Sequence, residues 1–252
     1  MSDPTLHLSR ILCLHGGGVT AEVFRLQSRT LIKQLQPHFR LCFADGPFLS
    51  EPGPGMIPTY QHYAPFHEII DELDRSIEAA IAADDAKGAT GDWVGLMGFS
   101  QGGKVSASIL YRQQIRAEKL SPEQAGSQFC FAVLLAARPL LVSLDTELPT
   151  SPALAEASDI TTSGFQNYQV PERRISRPTV HVHGLRDPGL PLHRKLLEQW
   201  CEKGTVRAVE FYGDHRVPVR EKDVALVVNQ IIHVAKQTGA LRPNRLFLFS
   251  YN

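Results

Sequence analysis

The stretch Trp93-Val94-Gly95-Leu96-Met97-Gly98-Phe99-Ser100-Gln101-Gly102-Gly103 decides how this chain is read. It opens as an apolar run, which predicts a strand, and closes as Gly98-Phe99-Ser100-Gln101-Gly102. The segment behind it, Lys104 to Arg116, reads as a helix. A strand, a sharp turn with a serine at its apex and a helix form the context in which a G-x-S-x-G pattern presents a nucleophile. A side chain at Gly98 or Gly102 is expected to clash with the neighbouring strand and helix, and glycine also tolerates strained dihedrals. Such a turn lifts the Ser100 hydroxyl above the sheet edge, at a helix N-terminus whose free N–H groups can face developing negative charge. The competing reading is a tight strand–helix connection with a capping serine, and the rest of the chain has to decide between them.

On the N-terminal side, Arg10-Ile11-Leu12-Cys13-Leu14 reads as a first strand, followed by His15-Gly16-Gly17-Gly18. Apolar residues at Val23, Phe24, Leu26, Leu31, Ile32 and Leu35 predict one helix over 21–36. Phe39 to Ala44 reads as the second strand, and the proline- and glycine-rich segment 45–58 as a stiff loop. Residues 65–85 carry Ile69, Ile70, Leu73, Ile77, Ala80 and Ile81 at helical spacing.

On the C-terminal side, Phe129 to Ala136 is apolar almost throughout, as expected of a strand covered on both faces. Residues 138–177 show no clean periodicity and are rich in Pro, Ser and Thr, which suggests a lid-like insertion. Residues 178–183 read as a fifth strand, 190–203 as a helix, 206–211 as a sixth strand and 218–238 as a last helix. Strand and helix alternate six times, so the fold class is α/β: a mostly parallel six-stranded sheet with helices on both faces. No linker or repeat divides the chain, and residues 1–252 are expected to form one domain carrying the insertion. The apolar tail Leu246-Phe247-Leu248-Phe249-Ser250-Tyr251 is expected to pack on the core.

Composition excludes several classes. Twenty-six basic residues balance twenty-six acidic ones, which argues against nucleic acid or an anionic membrane as partner. No apolar stretch approaches the roughly 18 residues of a membrane span. Met1-Ser2-Asp3-Pro4-Thr5 lacks the basic and apolar pattern of a secretory signal. Cys13, Cys42, Cys130 and Cys201 form no C-x-x-C pair and read as buried free thiols in a reducing compartment, so a cytoplasmic protein is expected. A neutral surface with an apolar tail fits a monomer or a homodimer.

In a sheet of this type ligands bind beyond the carboxyl ends of the strands. A serine hydroxyl needs a base within hydrogen-bond reach, and that base needs an orienting carboxylate. In chain order the acid follows the nucleophile and the histidine comes last. Of His181, His183, His193, His215 and His233, only His215 directly follows a strand, in Tyr212-Gly213-Asp214-His215-Arg216-Val217-Pro218. His181 and His183 lie inside a strand, and His193 and His233 on helices. Asp187, in Gly184-Leu185-Arg186-Asp187-Pro188, is the first choice for the acid. Asp214 is the second, being too close to His215 in sequence to orient its ring, while Asp145 and Asp159 fall in the insertion. The backbone N–H groups of Gln101 and Gly17 are the expected oxyanion donors. His15 reads as a packing residue. His181 and His183 alternate onto one strand face without a third ligand at metal-like spacing, so no metal is expected. Neither G-x-G-x-x-G nor a Walker lysine motif occurs, which argues against a nucleotide cofactor, and no cofactor is expected.

With these residues in view the chain resembles the α/β-hydrolases, and more narrowly the fungal serine hydrolases of the FSH1 type. The similarity runs nearly end to end. It is carried by Ile11-Leu12-Cys13-Leu14-His15-Gly16, Asp45-Gly46-Pro47-Phe48, Gly53-Pro54-Gly55, Gly98 to Gly103, His183 to Pro188 and Gly213 to Pro218. The resemblance implies Ser100, Asp187 and His215 as the triad. It also implies an esterase or thioesterase, with an acyl thioester or ester as substrate. Some members release a polyketide chain from the acyl carrier domain of a synthase in fungal secondary metabolism, so that domain is a candidate partner. The chain departs from its relatives in reading Val19-Thr20-Ala21 where many carry an asparagine. Two other readings stand beside this one: a broad carboxylesterase, and a non-catalytic binding protein on the same fold.

Overall fold

Six strands, β1 (Arg10–Leu14), β2 (Arg40–Ala44), β3 (Trp93–Phe99), β4 (Phe131–Leu135), β5 (Thr179–Gly184) and β6 (Val206–Phe211), pair in parallel in the order β2-β1-β3-β4-β5-β6. The computed structural model describes residues 3–47, 65–148, 151–159 and 169–241. The apolar tail, most of the 45–58 loop, and residues 149–150 and 160–168 of the insertion lie outside the described residues. The α-helices are α1 (Ala21–Gln27), α2 (Arg29–Leu35), α3 (Phe66–Asp85), α4 (Gln101–Lys119), α5 (Leu190–Lys195) and α6 (Glu221–Gln237), the last following β6.

Side chains alternate across each strand, so the sheet builds two cores. Leu12, Leu14, Ala132 and Leu134 face a cluster with Ile69, Leu110 and Trp200. Ile11, Cys13, Phe131, Val133 and Leu135 face a second cluster with Phe24, Leu31, Val227 and Ile231. Helices α3 and α4 therefore cover one face, and α1, α2 and α6 the other. Every residue of β4 and β5 is buried, as a doubly covered parallel strand requires.

Three local differences from the sequence expectation have physical causes. The single helix expected over 21–36 is two, because Ser28 leaves helical geometry at φ −89°, ψ 6°. The break lets α1 lie on β1 and β2 while α2 turns onto α6. The helix after β5 runs as α-helix only to Lys195 and continues as a π-helical turn over Leu196–Trp200. That turn seats fully buried Trp200 in the core and leaves Cys201 extended, bridged to Ile175. In the 138–177 segment, Leu141, Val142, Leu144, Ala153, Ala155, Ala157 and Ile175 are buried in the same core as α3 and α4. Its described parts thus pack beside the sheet.

At the opposite end of the sheet from the strand carboxyl termini, buried charge ties three elements together. Arg40 grips Asp84 at the end of α3 with Nε and Nη2, at 2.9 and 2.7 Å. Arg10 pairs with Asp84 at 3.5 Å and with Asp85, and its guanidinium lies 4.2 Å over the Trp93 ring.

Candidate active site

The chain leaves β1 toward β2 on one side and returns through β3 on the other, so β1 and β3 flank the topological switch point. In open α/β sheets the crevice for ligands opens there, beyond the strand carboxyl ends. His15 to Gly18 and Ser100 both lie at that place.

Ser100 joins β3 to α4 with φ 53° and ψ −111°, a conformation that is strained for a residue with a side chain. The glycines around it follow from close backbone approach. A Cβ on Gly98 would lie 2.1 Å from the Gly102 carbonyl oxygen, and one on Gly102 would lie 2.1 Å from that of Leu14. The strained turn is held by the Ser100 N–H donating to the Leu135 carbonyl at 2.8 Å and by Lys104 N–H donating to the Ser100 carbonyl at 3.1 Å.

Ser100 Oγ lies 2.9 Å from His215 Nε2, and His215 Nδ1 lies 2.6 Å from Asp187 Oδ2. An ionised carboxylate only accepts, so Nδ1 carries the imidazole proton and Nε2 is the acceptor facing the serine. Asp187 Oδ1 accepts the Gly189 N–H at 2.8 Å. Burial by itself would raise the Asp187 pKa. The Gly189 N–H and His215 outweigh it and hold the carboxyl below the ordinary carboxylate range. Phe99 packs its ring 5.1 Å from that of His215, on the side of β3. The serine, the imidazole and the carboxylate come from the ends of β3, β6 and β5, the three strand ends singled out in the sequence.

The alternatives of the sequence reading sit elsewhere. Asp214 is exposed and paired with Arg216 at 3.1 Å. Asp145 is bound to Arg116 at 3.1 Å. His233 lies against Arg207 at 2.9 Å. His15 donates from Nδ1 to the Gly16 carbonyl at 2.8 Å and accepts the Gly46 N–H at 2.7 Å, so it ties the β1 loop to the β2 loop. Gly17 lies against the Gln101 side chain, where a Cβ on Gly17 would meet Oε1 at 2.9 Å. Gln101 opens α4, and the N–H groups of a first helical turn have no carbonyl four residues back within the helix.

One neighbour of the acid escaped the sequence reading. His193 of α5 is fully buried, and its Nε2 is 3.8 Å from Asp187 Oδ2. Neither of its ring nitrogens has a hydrogen-bond partner among the described residues. Burial pushes its pKa down to about 3, so the ring is neutral. His183 and His181 continue this file of imidazoles into the core, at 5.6 and 5.9 Å between successive centroids. Burial holds them neutral as well, at about 4 and about 3. The sequence places His193 on a helix, and only the rotation of α5 about its axis turns it toward Asp187.

Among the described residues, a groove of about 320 Å³ runs past Tyr111, Val142, Leu154 and Arg173, and another of about 540 Å³ lies between α3 and α4. Neither is lined by Ser100, Asp187 or His215. No described helix is long and apolar enough to cross a membrane.

This arrangement invites comparison with known hydrolases. Among solved structures, the chain superposes on a dienelactone hydrolase from Anabaena variabilis with a TM-score of 0.53 at 16% identity, covering 94% of this chain and 88% of that one. An arylesterase gives a TM-score of 0.53 at 15% identity, covering 92% and 77%. At such identities the likeness speaks for the α/β-hydrolase fold. Sequence relatives are much nearer. Esterase pigG of Monascus ruber is 48% identical over 262 residues, covering 95% of this chain and 96% of its own. Esterase citA of Monascus ruber is 48% identical over 254 residues, covering 94% and 96%. The probable esterase tazC of Aspergillus terreus is 46% identical over 259 residues, covering 96% and 97%. The family model described as serine hydrolase (FSH1) matches residues 1–227. The chain therefore belongs to the FSH1 serine hydrolase family, and it is a serine hydrolase with esterases as its relatives.

Proposed function

We propose that Ser100, His215 and Asp187 act as nucleophile, base and orienting acid in the hydrolysis of an acyl thioester or ester. The observation that carries this reading is the unbroken chain of contacts from Ser100 Oγ through His215 to Asp187, at 2.9 and 2.6 Å. Ser100 Oγ attacks the carbonyl carbon as its proton passes to His215 Nε2, and Asp187 stabilises the imidazolium that forms. The N–H groups of Gln101 and Gly17 receive the oxyanion. Collapse of the tetrahedral intermediate breaks the bond to the leaving thiol or alcohol, which takes the proton from His215. Water then attacks the acyl-Ser100 ester with His215 as base, and the acid departs.

The finer reading is a thioesterase that releases or edits a polyketide chain held on an acyl carrier domain, working in the cytoplasm in fungal secondary metabolism. Its support is the family resemblance, together with an accessible Ser100 at the sheet edge. Buried free thiols fit a reducing compartment. The second reading, a broad carboxylesterase, is favoured by the esterase names of the relatives.

A direct comparison of substrates decides between them. Wild-type protein is incubated with a polyketide N-acetylcysteamine thioester, the same chain on an acyl carrier domain, and simple p-nitrophenyl esters. Intact mass spectrometry follows the thioesters and any acyl-enzyme. Thioester cleavage with an acyl adduct trapped on His215→Ala supports offloading. Untouched thioesters beside fast cleavage of simple esters assign a carboxylesterase. Full activity in Ser100→Ala would defeat both.

A further inference from the structure

Three ligand-bearing side chains converge where the proposed chemistry uses two. One ligand atom from each of Asp187, His193 and His215 lies within 4.8 Å of the others. Leaving a buried imidazole nitrogen without a partner costs the full desolvation of that group. A group left so in a folded protein calls for an explanation, and a bound ion is one of the few available. His193 has two such nitrogens, and Nε2 is directed at the Asp187 carboxylate at 3.8 Å.

We propose that Asp187, His193 and His215 form an inhibitory binding site for a divalent cation of the zinc type, whose occupation switches off the base that serves Ser100. The donor set is two neutral imidazoles and one carboxylate, with a water completing four-coordination, which suits zinc; magnesium and calcium prefer sites built from oxygen alone. Tetrahedral zinc with bonds near 2.1 Å sets its ligand atoms roughly 3.4 Å apart. The two separations from Asp187 Oδ2, 2.6 Å to His215 and 3.8 Å to His193, lie on either side of that value. His215, about one-third exposed in its side chain, is the member able to turn aside and admit the ion, since the other two are fully covered.

Inhibition follows from the imidazole tautomer. A zinc ion on Nδ1 displaces the proton that Nδ1 now donates to Asp187. The neutral ring keeps one proton, which moves through solvent to Nε2. The Nδ1–H bond is broken, an Nε2–H bond and an Nδ1–Zn bond are made, and Ser100 no longer faces an acceptor. The inhibitory effect rests on the triad reading given above; the site itself does not.

The test uses the full chain in chelator-free buffer, with ZnCl2 as inhibitor and CoCl2 as spectroscopic probe. Zn²⁺ is expected to suppress p-nitrophenyl butyrate hydrolysis by about tenfold or more, reversibly with EDTA. Each protein is read against its own metal-free rate. In His193→Phe the inhibition midpoint should rise by about tenfold or more, since even outer partners of metal ligands matter on that scale. His193→Gln serves the same purpose if the phenylalanine variant does not fold. Co²⁺ should give the visible absorption of a four-coordinate site in wild type and lose it in either variant. Absence of those bands, or equal Zn²⁺ inhibition of wild type and variant, overturns the proposal. Failure of metal-free wild type to take a fluorophosphonate on Ser100 would instead sink the triad, while the cobalt bands would still report the site.

Discussion

His215 Nε2 lies 2.9 Å from Ser100 Oγ although 115 residues separate them along the chain. The contact exists because β3 and β6 are parallel members of one sheet, so the segments that follow them emerge at the same edge. If the two act as one unit with Asp187, their deletions should not add. Ser100→Ala and His215→Ala are each expected to lower kcat for p-nitrophenyl esters by about 10⁴–10⁶, and the double variant by no more than the worse single one. Asp187→Asn should lose about 10⁴ while keeping the fold, because the amide selects the wrong tautomer. Additive losses, read from steady-state kinetics, would argue for independent roles.

The turn that presents Ser100 leaves no room for a methyl group. Gly98→Ala and Gly102→Ala each set a Cβ about 2.1 Å from a backbone carbonyl oxygen. Both are expected to destabilise the protein by at least about 1–3 kcal/mol, the usual scale of overpacking, and to cut activity further by displacing the serine. Urea unfolding followed by circular dichroism measures the first effect. Near-wild-type midpoints would show that the elbow relaxes easily.

Asp84 gives the pH dependence of stability a definite sign. Burial would raise its pKa, but the Arg40 hydrogen bonds prevail and hold it below the ordinary value. A carboxyl depressed in the folded state contributes stability that is complete above its unfolded pKa and is lost as pH falls through the folded one. Thermal stability should therefore drop on acidification below about pH 4, the unfolded value of an aspartate. Asp84→Asn should flatten that drop, and at neutral pH it should cost about 3 kcal/mol by leaving buried guanidinium charge undercompensated. A melting series in which wild type and variant fall in parallel on acidification would exclude this role.

The thiols divide by burial. Cys13, Cys42 and Cys201 are buried, and burial pushes the Cys42 and Cys201 thiols up to about 12 and raises Cys13 strongly. Cys130 is half-buried at the start of β4. Brief treatment of native protein with iodoacetamide near pH 8 is expected to modify Cys130 alone, as read by peptide mass spectrometry, because alkylation requires both access and thiolate. Early modification of Cys13 would mean that the sheet opens at β1.

How far the sequence carried the argument depended on the range of each signal. A strand such as β4 was legible because an unbroken apolar run is the direct consequence of being covered on two faces, whereas β2 and β6 at the sheet edges are partly exposed and carry charged residues. Ser28 was not legible as a break: the apolar spacing on either side of it is helical, and what interrupts the helix is the need of α1 and α2 to lie on different neighbours. The 138–177 segment lacked periodicity because its described buried residues fill space beside α3 and α4, with only the 3-10 turn Ala157–Asp159 as a helical element among the described residues.

The sequence by itself determined the strand–turn–helix around Ser100, since Gly98 and Gly102 are demanded by local backbone approach. It also determined that, downstream of Ser100, Asp187 comes just after β5 and His215 just after β6. Tertiary structure alone decided which further groups surround them. Asp214 turns out to pair with Arg216, His15 to staple two loops, and His193 to stand against Asp187 with both nitrogens unpartnered among the described residues. These outcomes depend on how a helix is rotated about its axis and which loop it faces. Such quantities are set by the packing of the whole sheet, and no local pattern of residues encodes them.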